Sequence, residues 1–173
     1  YSYDDRYVFN ANVRIDGSNK FGTKANDKLL PIWSVSGLWH MKNEILKTVN
    51  WVDRLSLRAS FGFQGNMHDH ETPELIIKQH GMHRQFDEYY SSVYAFPNPY
   101  LKWEKTRSFN TSLEFILLKN KIRGNVSYYY KKTVDAFITK KVSGINGVNE
   151  YTVNKGTLEN QGFEVALNFI PVN

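Results

Sequence analysis

Large apolar side chains recur at every second position through run after run of this chain, with polar or small residues between them. Near the start, Tyr7, Phe9, Ala11, Val13 and Ile15 alternate with Val8, Asn10, Asn12 and Arg14. Near the end, Phe163, Val165, Leu167 and Phe169 alternate with Glu164, Ala166 and Asn168. A period of two belongs to β-strands with one apolar face. Strands of soluble domains usually run about five or six residues, whereas about 9–11 tilted residues are needed to cross the hydrocarbon of a bilayer. The runs here approach the longer figure. The pattern therefore predicts an all-β fold, an antiparallel meander of about six long strands forming part of a transmembrane β-barrel.

Turn residues divide the runs. Asp16-Gly17-Ser18 ends the first strand, and Trp33, Val35, Gly37, Trp39 and Met41 share one face of the second. Asn43 is placed to cap a short helix over 44–52. Leu55, Leu57, Ala59, Phe61 and Phe63 share a face of the third strand, which Gly65-Asn66 closes. Residues 65–103, broken by Pro97-Asn98-Pro99, read as one long irregular loop with no strand inside it. The fourth strand covers about 104–117, a tight turn at Lys119-Asn120 follows, and Ile122, Val126, Tyr128 and Tyr130 mark the fifth. A Gly-rich loop at Ser143–Gly147 then leads to Asn160-Gln161-Gly162, which introduces the sixth. Connections over 16–31, 65–103 and 139–157 are long, and they alternate with shorter ones over 43–53 and 118–121. Outer-membrane barrels pair short periplasmic turns with long outer loops, which predicts that the three long connections are extracellular.

Composition narrows the class. Hydrophobic residues make up 41% of the 173, and the mean hydropathy is −0.51. No stretch approaches the roughly 18 consecutive apolar residues of a membrane helix, but a barrel is permitted because half of each strand faces a polar interior. Aromatic residues reach 15%, which suits the girdles of a barrel wall. The net charge is +5, yet Lys and Arg are dispersed among apolar positions, so no nucleic-acid partner is expected. The absence of Cys excludes disulfides, thiolate metal sites and cysteine nucleophiles. The opening residues carry no basic–apolar–small leader, which suggests a piece of a longer protein.

Candidate chemistry gathers in 65–103. His68, Asp69, His70 and Glu71, with His80 and His83, offer imidazole and carboxylate donors, but their spacing matches no zinc pattern and no metal is expected. Tyr89, Tyr90, Tyr94 and Phe96 are candidates for contact with a substrate or a lid, because aromatic faces desolvate cheaply while hydroxyls stay wet. The alternative is that they pack the loop on itself or form a girdle. Ser56, Ser60, Ser127 and the loop histidines show no hydrolase spacing, and there is no G-x-S-x-G, P-loop or dinucleotide fingerprint. Neither catalysis nor a cofactor is expected.

Several phrases add a family. Asp4-Asp5-Arg6-Tyr7 leading to Val13–Ser18 and Phe21-Gly22 resembles the SusC/RagA-like TonB-dependent outer-membrane transporters. So do Trp51–Gly62 with Gly65-Asn66, Asn98-Pro99-Tyr100-Leu101-Lys102-Trp103-Glu104-Lys105-Thr106, Val126–Thr133 and Leu158–Val165, in that order. The resemblance spans nearly the whole chain and implies that residues 1–173 are a segment of such a barrel, without plug or signal peptide. It further implies import of a glycan or peptide, a SusD-like surface lipoprotein as lid, energy from the TonB complex, contact with membrane lipid, and location in the cell outer membrane. A soluble carbohydrate-binding β-sandwich and a siderophore receptor barrel are the competing readings. On the barrel reading the apolar positions, such as Phe9, Leu57 and Val165, face lipid, while Asn12, Ser56, Arg58, Asn110 and Glu164 face a wet lumen. Leu57→Arg should then impair assembly and Ser56→Arg should be tolerated.

Overall fold

A computed structural model describes residues 1–22, 28–67 and 72–171. The strands are β1 (Ser2–Tyr3), β2 (Tyr7–Gly17), β3 (Leu29–His40), β4 (Val52–Asn66), β5 (Ile76–His83), β6 (Glu88–Ala95), β7 (Glu104–Leu117), β8 (Ile122–Lys141) and β9 (Glu150–Phe169). One sheet contains seven of them in the order β1-β2-β3-β4-β7-β8-β9, and β5 and β6 form a second sheet of their own. Every pairing is antiparallel. The six long strands therefore meander in sequence order, since short turns close naturally onto antiparallel neighbours.

Register turns the alternation of each strand into two continuous faces. Tyr7 lies opposite Trp39, Trp39 opposite Leu57, Leu57 opposite Leu113, Leu113 opposite Val126, and Val126 opposite Val165. One position along, Val8, Leu38, Arg58, Ser112, Ser127 and Glu164 form the corresponding row of the other face. The apolar alternation lasts nine residues in β2 (7–15), β4 (55–63), β7 (109–117) and β8 (122–130). Nine tilted residues match the height of an apolar barrel band of about 25 Å. This face is open: Phe163 is 75% exposed and Val165 64%. No second sheet covers it among the described residues, which removes the sandwich reading, because a sandwich buries its apolar faces against each other. Among the described residues no helix is long and apolar enough to cross a membrane.

At Gly124 and Gly162 an aromatic ring of the neighbouring strand covers the missing side chain. A Cβ at Gly124 would meet the Phe115 ring across the strand pair at 2.1 Å, so only glycine admits the ring there. The turn after β7 is the shortest connection between two of the six long strands, as its sequence predicts. Leu118, Lys119 and Asn120 all adopt left-handed backbone, with φ of 54, 56 and 72°. The preceding connection holds this turn: Trp51 O accepts from Leu118 N at 2.8 Å, and Asp53 Oδ2 accepts from Asn120 N at 2.9 Å.

Four expectations are corrected. The helix over 44–52 is absent. A single 3-10 turn at Met41–Asn43 takes its place, because β4 begins at Val52 and leaves too few residues for a stable helix. Glu44 is instead drawn to the strands, its Oε2 accepting from Tyr7 Oη at 2.5 Å and Trp39 Nε1 at 3.0 Å. Those two donors, with Arg6 and Lys47 nearby, hold its carboxyl below the usual carboxylate range. The loop 65–103 does contain strands, β5 and β6, whose polar and aromatic mixture hid their period. The connection 139–157 shrinks to 142–149, because β8 and β9 continue as a ladder beyond the apolar band. Finally, Ser56 is 2% exposed and lies 3.0 Å from His40 Nδ1, so it is a poor site for an added arginine.

Candidate functional site

The two ends of the sheet differ. One carries the connections 41–51 and 118–121, and the other, the long-loop end, carries 18–28, 142–149 and the longest, 67–103. The described part of the long-loop end is built around the segment 96–104, which folds back on β8 and β9. Leu101 is fully buried and Asn98 4% exposed. The backbone of Lys102 has no strand beside it. The Asn154 side chain substitutes for one: its Oδ1 accepts from Lys102 N at 3.2 Å and its Nδ2 donates to Lys102 O at 2.9 Å. The same Nδ2 donates to Asp135 O at 2.9 Å. Asp135 sits at a bulge in β8 with φ 58°, where an Asp is tolerated, and its carboxylate pairs with Lys102 Nζ at 2.8 Å. Glu104 closes the clamp, accepting from Phe137 N at 2.8 Å and from Asn66 Nδ2 at 3.0 Å.

Below the clamp, Phe21, Leu30 and Trp103 form a small buried cluster with Ile32, Phe63 and Met67 packed on it. Gly22 lets the first loop approach: a Cβ there would lie 2.0 Å from Pro99 O. The family phrases are thereby explained. Phe21-Gly22 and Asn98–Glu104 are contact partners, distant in sequence and adjacent in the fold.

From this clamped base rises the β5–β6 hairpin. Alternation divides the candidate aromatics. Tyr89 lies opposite Met82 on one face, while Tyr90 and Tyr94 take the other with His80 and Ser92. Tyr90 stacks on the His80 ring, with centroids 4.7 Å apart and planes within 5°, and His83 meets it edge-on at 5.6 Å. His80 Nε2 lies 2.7 Å from Ser92 Oγ. Tyr89 and Tyr94 are 69% and 71% exposed and Tyr90 is 47% exposed, whereas Phe96 is half-buried just after β6. The four aromatics thus do not form one platform. Three stand on a projecting hairpin and the fourth packs near its base. His68, Asp69, His70 and Glu71 lie outside the described residues. Among the described residues no group of three His, Cys, Asp or Glu is arranged to hold a metal. The sequence reading missed Asn154 and Asp135, and single polar residues inside a strand carry no signal of such a role.

The polar face offers a hollow of about 380 Å³ edged by Arg58, Ser60, Asn110, Ser127, Tyr129 and Glu164. Hydroxyls, amides and charges without an apolar floor can bind water or polar groups, but they present no nucleophile–base pair.

A one-sheet wall with an apolar belt on one face, a polar opposite face, and its longest loop at the end away from its tightest turn is a segment of a transmembrane β-barrel. Residues 1–169 match the family described as TonB dependent receptor-like, beta-barrel, and the chain belongs to that family. It is 34% identical over 181 aligned residues to the TonB-dependent receptor SusC of Bacteroides thetaiotaomicron, covering 99% of this chain and 18% of SusC. It is 29% identical to TonB-dependent receptor P26 of Formosa agariphila, covering 97% of this chain and 17% of the receptor. Among solved structures, the RagAB peptide importer in its closed-closed state matches all of the chain and 19% of its own, with TM-score 0.87 and 27% identity. The open-open state of RagAB matches with TM-score 0.76. The chain thus spans under a fifth of the length of these relatives.

Proposed function

We propose that this chain forms adjacent strands and outer loops of the wall of a TonB-dependent importer in the cell outer membrane, taking up a glycan or peptide. Residues 1–173 are one segment of that barrel. The long-loop end faces outward, and the β5–β6 hairpin with Tyr89, Tyr90, Tyr94 and Phe96 meets a SusD-like surface lipoprotein or the incoming nutrient. Energy reaches the barrel from the TonB complex through other parts of the protein. The chain has no catalytic role.

The observation that carries this reading is the register of six consecutive antiparallel strands, continuous across their apolar stretches of seven to nine residues, which all fall on one face. The likeness to SusC and to RagAB, a peptide importer, supports the transport class. An isolated two-stranded hairpin is marginally stable in water, and among the described residues β5 and β6 pair only with each other, so a partner surface would supply the burial they lack.

Deletion of 75–95 from the full-length protein tests the loop's role. Because β4 pairs directly with β7, the barrel should still assemble and migrate as a folded, heat-modifiable band. Uptake of the nutrient or retention of the lipoprotein should fall. Normal uptake together with normal lipoprotein retention would reduce the hairpin to ordinary surface and move the candidates to the lumen wall.

A further inference from the structure

At the long-loop boundary of the apolar face, a row of charge begins. Phe109 lies opposite Tyr130, and these close the apolar windows of β7 and β8. The next pair on the same face is Arg107 opposite Lys132, with Lys132 opposite Glu159. Lys105 follows two residues further along β7 on that face. Two like charges directly opposite each other in a ladder are unfavourable. Glu159 answers only one of them, since its carboxylate pairs with Lys132 Nζ. Arg107 is exposed and has no ion-pair partner among the described residues. The lumen-facing neighbour Lys131, by contrast, projects to the opposite side.

We infer that Arg107 and Lys132 form a binding site on the outside of the barrel for the phosphate of an outer-leaflet glycolipid headgroup. Position and chemistry agree. The site begins one residue pair above the last aromatic residues of the belt, the depth at which headgroups meet hydrocarbon. A guanidinium presents a planar fork of donors that matches phosphate in two parallel bonds, and a neighbouring ammonium adds a compact charge. A phosphate bridging Arg107 and Lys132 would also cancel their mutual repulsion. An apolar belt directly beneath would receive the acyl chains of the same molecule, so one ligand satisfies both surfaces. The inference uses the membrane orientation of the proposed importer but neither its nutrient nor its lid.

Native mass spectrometry of the full-length protein, titrated in detergent with phosphorylated lipid A and with the same lipid A after phosphatase treatment, tests it. The phosphorylated form should be retained about tenfold more tightly, the effect of one good charge-assisted bidentate contact. Arg107→Gln should remove most of that preference while leaving the Lys132–Glu159 pair in place. Glu159→Gln, which frees Lys132 for the phosphate, should enlarge it. Lys131→Gln should leave it unchanged. Equal retention of the two lipids, or a preference that survives Arg107→Gln combined with Lys132→Gln, would overturn the site. Displacement of the lipid by millimolar inorganic phosphate would overturn the lipid as ligand, because it would show recognition of a soluble anion. Nutrient uptake measured on the same variants separates the two readings: loss of lipid preference with uptake intact leaves transport standing, and lost uptake with the preference intact does the reverse.

Discussion

A single amide decides how the loop base is held. Asn154 is half-buried and serves three backbone groups, Lys102 N, Lys102 O and Asp135 O. Buried backbone groups left unpaired are costly, about 1–3 kcal/mol each where water cannot reach them. Asn154→Ala should therefore loosen the segment 98–104 by about 1–3 kcal/mol, read as faster hydrogen exchange at the Lys102 amide with little change in β4 and β7. Asn154→Asp should be no better. It keeps an acceptor for Lys102 N but loses the donor and turns a negative charge toward two carbonyls. Unchanged exchange at Lys102 in both variants would mean that the Lys102–Asp135 pair and the Glu104 bonds hold the segment alone.

Among elements, the turn 118–121 and the hairpin β5–β6 make opposite use of local sequence. The turn is written in its residues only in part. Asn120 suits left-handed backbone, but Leu118 and Lys119 do not, and each bears a cost of about 1–2 kcal/mol. Bonds from Trp51 O and Asp53 Oδ2 in the neighbouring connection offset that strain. Lys119→Gly should accordingly stabilise the folded barrel by about 0.5–1 kcal/mol, the steric relief less glycine's entropy loss, seen as a higher urea midpoint in lipid vesicles. A lower midpoint would indicate that Lys119 makes a contact worth more than its strain. The hairpin hid itself for the reverse reason. Its faces mix His80, Ser92 and Glu88 with Tyr90 and Met82, and a bulge between Gln79 and Met82 shifts the register, so no clean period of two survives.

At the scale of the whole molecule, stability of the sheet depends on which side meets lipid. Leu57, flanked by Trp39 and Leu113, lies on the apolar face, and Asn110 lies on the polar one. An arginine in mid-membrane on a lipid-facing position costs about 2–4 kcal/mol. Leu57→Arg should thus reduce assembly of the full-length barrel, measured as the folded fraction on refolding into vesicles. Asn110→Arg, at an exposed lumen position, should leave it within a few tenths of a kcal/mol. It replaces Ser56→Arg as the control, because Ser56 is buried against His40. Equal loss in both variants would point to a sheet with two buried faces.

The sequence by itself determined the six long strands of the main sheet, their antiparallel order, the β7–β8 turn and which residues of those strands share a face. Those follow from a period of two over seven to nine residues, a signal carried locally by each of those six strands. Only the tertiary structure decided three things. It placed Phe21-Gly22 against Pro99 and Leu101, and it recruited Asn154 and Asp135 to a loop more than thirty residues away. It also set Arg107 beside Lys132 at the edge of the belt. Each of these depends on register between strands or on loops folding back. Register is fixed by the joint burial of whole faces and cannot be read from any one segment.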